Sequence, residues 1–205
     1  DATVLGNEPD YTLIEKLANQ SRMPICYGGG VKTVEQAQKI FSLGIEKIAL
    51  SSSVINNPIL ISEISERVGS QSVIVVLDVK KKIFGGYEIY THNGKKKTGI
   101  NPIKFAQKAQ DLGAGEIVIN SIDNDGMMKG YDMDIIDKLR QVVSIPITVL
   151  GGAGSLADIK KIISEYGIIG VAAGSLFVFK GVYKAVLITY PSKLDKIKIF
   201  KNLID

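Results

Sequence analysis

The sequence repeats itself once. Pro24-Ile25, Gly29-Gly30, Thr33 and Ser53 return as Pro146-Ile147, Gly151-Gly152, Ser155 and Ser175, at a constant offset of 122 residues with no gap. Each copy reads Pro-Ile, a short apolar run, Gly-Gly, a capped helix, a second apolar run and a serine-containing turn. A block of this kind confines the chain to folds made by duplication. Two blocks would need about 244 residues, close to the roughly 250 of an eight-stranded α/β barrel.

Apolar runs alternate with helical periodicity along the whole chain. Strands are expected at 25–28, 46–51, 73–79, 116–120, 146–150 and 168–173, and helices at 33–43, 58–68, 102–112, 133–143 and 155–166. Val34, Ala37, Ile40 and Phe41 share one helical face, and Thr33 with Gln36 forms a capping box. Two further β-like runs, 83–84 and 87–91, precede the turn signal His92-Asn93-Gly94. Strands apolar on both faces, alternating with amphipathic helices, imply a parallel sheet covered by helices.

The fold expected is α/β, a (βα)8 TIM barrel of the half-barrel-duplicated type, as one incomplete domain over 1–205. Its first strand–helix unit and second strand are lacking, so about six strands should follow chain order around an arc, with the gap before residue 24. The competing architecture is a six-stranded doubly wound sheet, whose strand order would reverse; its two bare parallel edges speak against it. The opening Asp1-Ala2-Thr3, without Met, reads as a fragment or a processed product.

Composition narrows the chemistry. The 25 Lys+Arg against 21 Asp+Glu give a formal charge of +4. Arg22, Arg67 and Arg140 are the only arginines, so the excess is lysine spread over helix faces, and no nucleic-acid partner is expected. A single cysteine excludes an internal disulfide framework, and a single histidine excludes a His-rich zinc site; no metal and no cofactor are expected. No apolar run approaches the roughly 18 residues of a membrane span, and no signal peptide opens the chain. A soluble, cytoplasmic protein is the expectation.

Gly28-Gly29-Gly30 and Gly151-Gly152-Ala153-Gly154 both follow strands, at the C-terminal end where a barrel keeps its active site. Bare amides there favour phosphate, although turn glycines need no ligand. Ser51-Ser52-Ser53 and Gly174-Ser175 follow the next strand of each copy. Each pair can make one phosphate cup, and two cups suggest a ligand with a phosphate at either end. Asp78, after five apolar residues, points at the mouth as an acid/base candidate or caps a loop. Asp123, Asp125 and Gly126 follow the next strand, partly as turn chemistry. Lysines 80–82 and 95–97 bracket a segment that should hang over the mouth and attract anions. Cys26 reads as a small buried hydrophobe. His92 sits in a turn, and nothing places it against Cys26. Lys47 and Glu116 begin strands on the opposite face and read as a surface pair.

The chain resembles the cyclase subunit of imidazole glycerol phosphate synthase. The resemblance rests on Tyr27-Gly28-Gly29-Gly30-Val31, Gly69-Ser70-Gln71, Leu77-Asp78-Val79-Lys80, residues 94–99, Gly113-Ala114-Gly115-Glu116, residues 121–132 and 151–154, in the family's order over nearly the whole chain. Ser121-Ile122-Asp123 with Gly130-Tyr131-Asp132 favours the cyclase over the sister isomerase.

The resemblance implies a cytoplasmic lyase of histidine biosynthesis. A glutaminase subunit supplies ammonia, in a heterodimer. The barrel joins it to a bis-phosphorylated phosphoribulosyl-formimino aminoimidazole carboxamide ribonucleotide, releasing imidazole glycerol phosphate and the carboxamide ribonucleotide. Asp78 matches the catalytic acid/base. Gly29, Gly30, Ser51 and Ser52 match one phosphate site, and Gly151, Gly152, Gly174 and Ser175 the other. Asp125 and Gly126 match substrate contacts, and Lys47 and Glu116 two members of a charged ammonia gate. The family's other catalytic aspartate and two gate residues have no counterpart here, so this chain alone is expected not to complete the reaction. Ser51 stands where the cyclase has asparagine, and Asn120 where it often has threonine. Residues 173–179, 185–192 and 90–94 resemble a branch that serves acetamidino modification of bacterial surface sugars, such as lipopolysaccharide. There the barrel would deliver ammonia to a sugar amidotransferase instead.

Overall fold

The computed structural model describes residues 6–181 and 183–200; Asp1-Ala2-Thr3 lies outside them. In chain order the strands are β1 (Cys26–Gly28), β2 (Lys47–Leu50), β3 (Val73–Lys81), β4 (Tyr87–Thr91), β5 (Lys96–Lys97), β6 (Glu116–Ser121), β7 (Ile147–Leu150), β8 (Gly170–Val171), β9 (Phe179–Lys180) and β10 (Ala185–Val186). The helices are α1 (Tyr11–Gln20), α2 (Val34–Ser42), α3 (Ser52–Asn56), α4 (Ile59–Val68), α5 (Pro102–Asp111), α6 (Met133–Arg140), α7 (Leu156–Tyr166), α8 (Ser175–Val178) and α9 (Lys193–Phe200).

The main sheet runs β1-β2-β3-β6-β7-β8, every pair parallel and in chain order. The order never reverses, which excludes the doubly wound alternative. The result is a curled six-stranded sheet, a partial (βα)8 barrel with β1 and β8 at its edges. Helices cover the outer face: Ala37 and Ile40 of α2, Ile61 and Ile64 of α4, Ala106 and Ala109 of α5, Ile135 and Ile136 of α6 and Ile162 of α7 are buried in one core with Ile48, Val75, Leu77, Ile117 and Val149. Burying each such aliphatic side chain stabilises the fold by about 1.5–3 kcal/mol before entropy is counted.

The repeat is visible in the helix starts. Thr33 and Gln36 close a capping box on α2, and Ser155 with Asp158 closes the same box on α7. Both satisfy amides that the first helical turn leaves without partners.

Two expectations need correction. The run 83–84 is not a strand: Gly85 and Gly86, at φ +89° and +77°, turn the chain, and Ile83 and Phe84 stand almost fully exposed. The strand expected at 73–79 does not stop there either. β3 continues to Lys81 because a hairpin takes over, pairing Asp78 with Tyr90 and Lys81 with Tyr87 antiparallel. β8 is shorter than expected, since an edge strand has one neighbour to hold it.

Candidate active site

The inner face of the sheet follows the twofold side-chain alternation of strands. In register across the C-terminal layer lie Asp78 of β3, Asn120 of β6 and Leu150 of β7. Asn120 Nδ2 donates to Asp78 Oδ1 at 2.8 Å. Asn120 Oδ1 is buried without a hydrogen-bond partner among the described residues, and a side chain on Gly151 would stand 2.8 Å from it. Loss of water around Asp78 pushes its carboxyl above the usual carboxylate range. The Asn120 donor pulls the other way, and the Asp125 charge adds a further upward push.

On one side of Asp78, β1 and β2 open into a cavity of about 510 Å³ lined by Gly28, Gly29, Gly30, Ser51, Ser52 and Ser53, with Lys32, Val76 and His92. No side-chain cap closes the first turn of α3 there. On the other side, Asp125, Gly126, Gly151, Gly152, Gly174 and Ser175 line a much tighter cleft of about 10 Å³. Sheet order therefore places the residues as cup, Asp78, cup, along one mouth. The two glycine–serine cups, Asp78, Asp125 and Gly126 come together in this way; Asp123 and the lysines at 80–82 and 95–97 do not line either cleft.

The loop from 121 to 132 is fixed from several directions. Lys81 N–H donates to Asp123 Oδ2 at 2.9 Å, so Asp123 ties the β3 hairpin down rather than facing the mouth. Asn124 Nδ2 donates to Gly130 O at 3.1 Å, and Gly130 N–H to Gly152 O at 2.8 Å. Tyr131, buried, donates from its hydroxyl to Ala172 O at 2.9 Å, spanning to the β8 edge.

The lysine segment forms the β3–β4–β5 hairpin beside the mouth. Lys97 lies 3.3 Å from the buried carboxylate of Glu88, and Lys80 lies 3.9 Å from Asp123. Part of that charge is thus spent on Glu88 of the hairpin and Asp123 of the neighbouring loop, while lysines 81, 82, 95 and 96 are exposed toward solvent.

At the N-terminal ends of the strands, Lys47 Nζ meets Glu116 Oε2 at 2.7 Å, and Thr148 Oγ1 donates to Glu116 Oε1 at 2.7 Å. Gly170 accommodates Thr148, because a Cβ there would stand 1.8 Å from its hydroxyl. Cys26, expected as a buried hydrophobe, is exposed, since β1 is an edge strand and its outer edge is uncovered among the described residues. Partial burial of its sulfur still pushes the thiol up to about 11; Glu116 adds to this and Lys47 opposes it.

A model of the family described as "Histidine biosynthesis protein" matches residues 1–184. The chain belongs to that family. It is 57% identical over 97% of its length to the protein named "Putative imidazole glycerol phosphate synthase subunit hisF3" in Vibrio vulnificus, spanning 76% of that protein. It is 54% identical over 95% of its length to the HisF counterpart of the same description in Leptospira interrogans, spanning 77% of it. The imidazole glycerol phosphate synthase subunit HisF of Streptomyces coelicolor is 39% identical over 85% of this chain, with 69% of that protein covered. Within the family the chain is thus HisF-like, of the imidazole glycerol phosphate synthase type.

Three polar positions carry more than their sequence signal suggested. Asn120 shares the inner face with Glu116 and Val118, and alternation along β6 marks it as facing Asp78. Thr148 is marked in the same way on β7. His92 gave only a turn signal, and its place at the cavity depends on the hairpin's tertiary packing.

Proposed function

We propose that this chain is an ammonia-dependent cyclase subunit of histidine biosynthesis, acting with a glutaminase partner. Its substrate is a phosphoribulosyl-formimino aminoimidazole carboxamide ribonucleotide with one phosphate in each cup. Ammonia enters at the N-terminal face past Lys47 and Glu116 and meets the substrate at the mouth. Asp78 moves protons as the imidazole ring closes and the carboxamide ribonucleotide leaves. A carboxyl raised toward working pH serves this role better than an ordinary one. Asn120 orients it, and Asp125 and Gly126 contact the substrate beside the second phosphate.

The observation that carries this reading is the order cup, Asp78, cup across one mouth. A bis-phosphorylated ligand lying across the sheet passes Asp78 between its two anchors. The test is turnover of that substrate, by a version of the protein that carries the full barrel with its first strand, with ammonium salts, and with glutamine plus the glutaminase. Imidazole glycerol phosphate should form in both cases, and substrate that binds but is not converted under saturating ammonium would refute the reading.

A second reading keeps the ammonia transfer and drops cyclisation, with the barrel feeding a sugar amidotransferase for acetamidino-sugar formation. Its support is the resemblance of residues 90–94, 173–179 and 185–192 to that branch. Glutamine hydrolysis stimulated by the barrel, with no imidazole product, would select it.

A further inference from the structure

We propose that His92 is a proton-dependent clamp on the anionic group held in the larger cup, making ligand affinity there rise as pH falls. The proposal rests on the reading of that cup as a phosphate-ester site. His92 lines the 510 Å³ cavity from the hairpin side, facing the glycine and serine edge formed by β1 and β2. Its backbone is left-handed at φ +54°, followed by Asn93 at +57° and Gly94 at +74°. Histidine tolerates that region better than most residues. Thr91 and Lys96 pair just outside the turn, Lys95 N–H donates to the carbonyls of Thr91 and His92 at 3.2 and 3.3 Å, and Gly94 rests on Ile122.

The ring is oriented as well. His92 Nδ1 is hydrogen-bonded to Thr91 Oγ1 at 3.0 Å, and Thr91 is buried. That leaves Nε2 as the ring nitrogen for a ligand. No carboxylate lines this cavity among the described residues, and Lys32 is its other basic group. Protonation of an imidazole adds a donor and a positive charge.

The polar groups that line the cavity with His92 are few. Lys32 comes from the loop after β1 and Ser51, Ser52 and Ser53 from the β2–α3 turn, while Lys95, in the same turn as His92, is exposed. Asp78 on β3 is in register with Tyr90, two residues before His92. The ligand chemistry is a dianionic phosphate ester, and the clamp favours the dianion when His92 is charged.

His92 is the sole histidine of the chain, so its Cε1–H resonance identifies itself in a proton NMR titration. Sulfate is the probe, because it stays dianionic from pH 5.5 to 8. Saturating sulfate should raise the His92 midpoint by about 0.5–1 pH unit, and sulfate should bind about three- to tenfold tighter at pH 5.5 than at pH 8. His92→Gln should flatten that pH dependence, and ribose 5-phosphate should perturb the same resonance. If sulfate shifts the amides of Gly29, Gly30 and Ser52 while the His92 midpoint stays in place, the clamp is refuted and the cup survives. If those amides do not respond to either anion, the cup reading fails and the clamp fails with it.

Discussion

The two glycine cups share a motif but differ in what the glycines are for. In the first copy, a side chain on Gly29 would meet nothing within 4 Å; only the backbone angle, φ +130°, asks for glycine. In the second copy, a Cβ on Gly151, the counterpart of Gly29, would stand 2.6 Å from Ser121 O, one on Gly152 2.1 Å from Gly130 O, and one on Gly154 2.2 Å from Met128 O. There the absent side chain is what lets two loops touch. The first cup is accordingly a roomy cavity, roofed in part by His92, and the second a clamp closed on the 121–132 loop. Duplication supplied one backbone motif, and the neighbouring loops decided whether it became a space or a contact.

The largest effect should come from alanine at the clamped position. Gly152→Ala combines a positive φ with a backbone collision and should cost about 3 kcal/mol or more. Gly29→Ala meets open space and should cost about 1 kcal/mol from conformation alone. Thermal unfolding of the two variants checks this, and equal losses would erase the distinction between the cups.

Between the cups, Asp78→Asn in the full-barrel protein should cut turnover about a hundredfold while KM changes little. Its stability effect should have the opposite sign. A carboxyl whose folded pKa is raised is most favourable when protonated, below the unfolded value of about 3.9, and that favour is lost as pH rises through the folded value. At pH 7 the ionised group is therefore a burden on the fold, so Asp78→Asn should melt higher than the parent at pH 7 and lose that advantage near pH 3.

The comparison sharpens with a matched charge in each cup. Ser175→Asp in the tight cleft should raise KM by about tenfold or more through like-charge repulsion, and Ser53→Asp in the roomy cavity by less, since the carboxylate can turn away. Lys47→Glu should lower stability as well, since it sets a second carboxylate against Glu116, which is only 13% exposed. Its signature is functional: glutamine hydrolysis should run on without ammonia use while external ammonium still supports turnover. A variant as tightly coupled as the parent would reduce Lys47 and Glu116 to a surface pair.

Much of this was legible in the residues because it rests on local chemistry. Capping boxes at Thr33 and Ser155, apolar strands and the 122-residue repeat gave the strand order and both cups. Tertiary facts were harder to read. Nothing local said that β3 would run past Asp78 into a hairpin, because that depends on Gly85 and Gly86 turning the chain back onto it. Cys26 read as buried because its strand is apolar, and its exposure follows from β1 lying at an edge. The bond from Asn120 to Asp78 joins residues 42 positions apart. It needs the register of two strands, which composition does not carry.

The central claim is that one ligand spans both cups past Asp78. Calorimetric titration of Asp78→Asn protein in the absence of glutamine and ammonium, so that no substrate is converted, tests it directly, using the bis-phosphorylated substrate and each of its two monophosphorylated products. The account predicts one substrate per chain, bound at least about a hundredfold tighter than either product, because the second phosphate lands at high effective concentration. A substrate affinity no greater than that of a single product would contradict it.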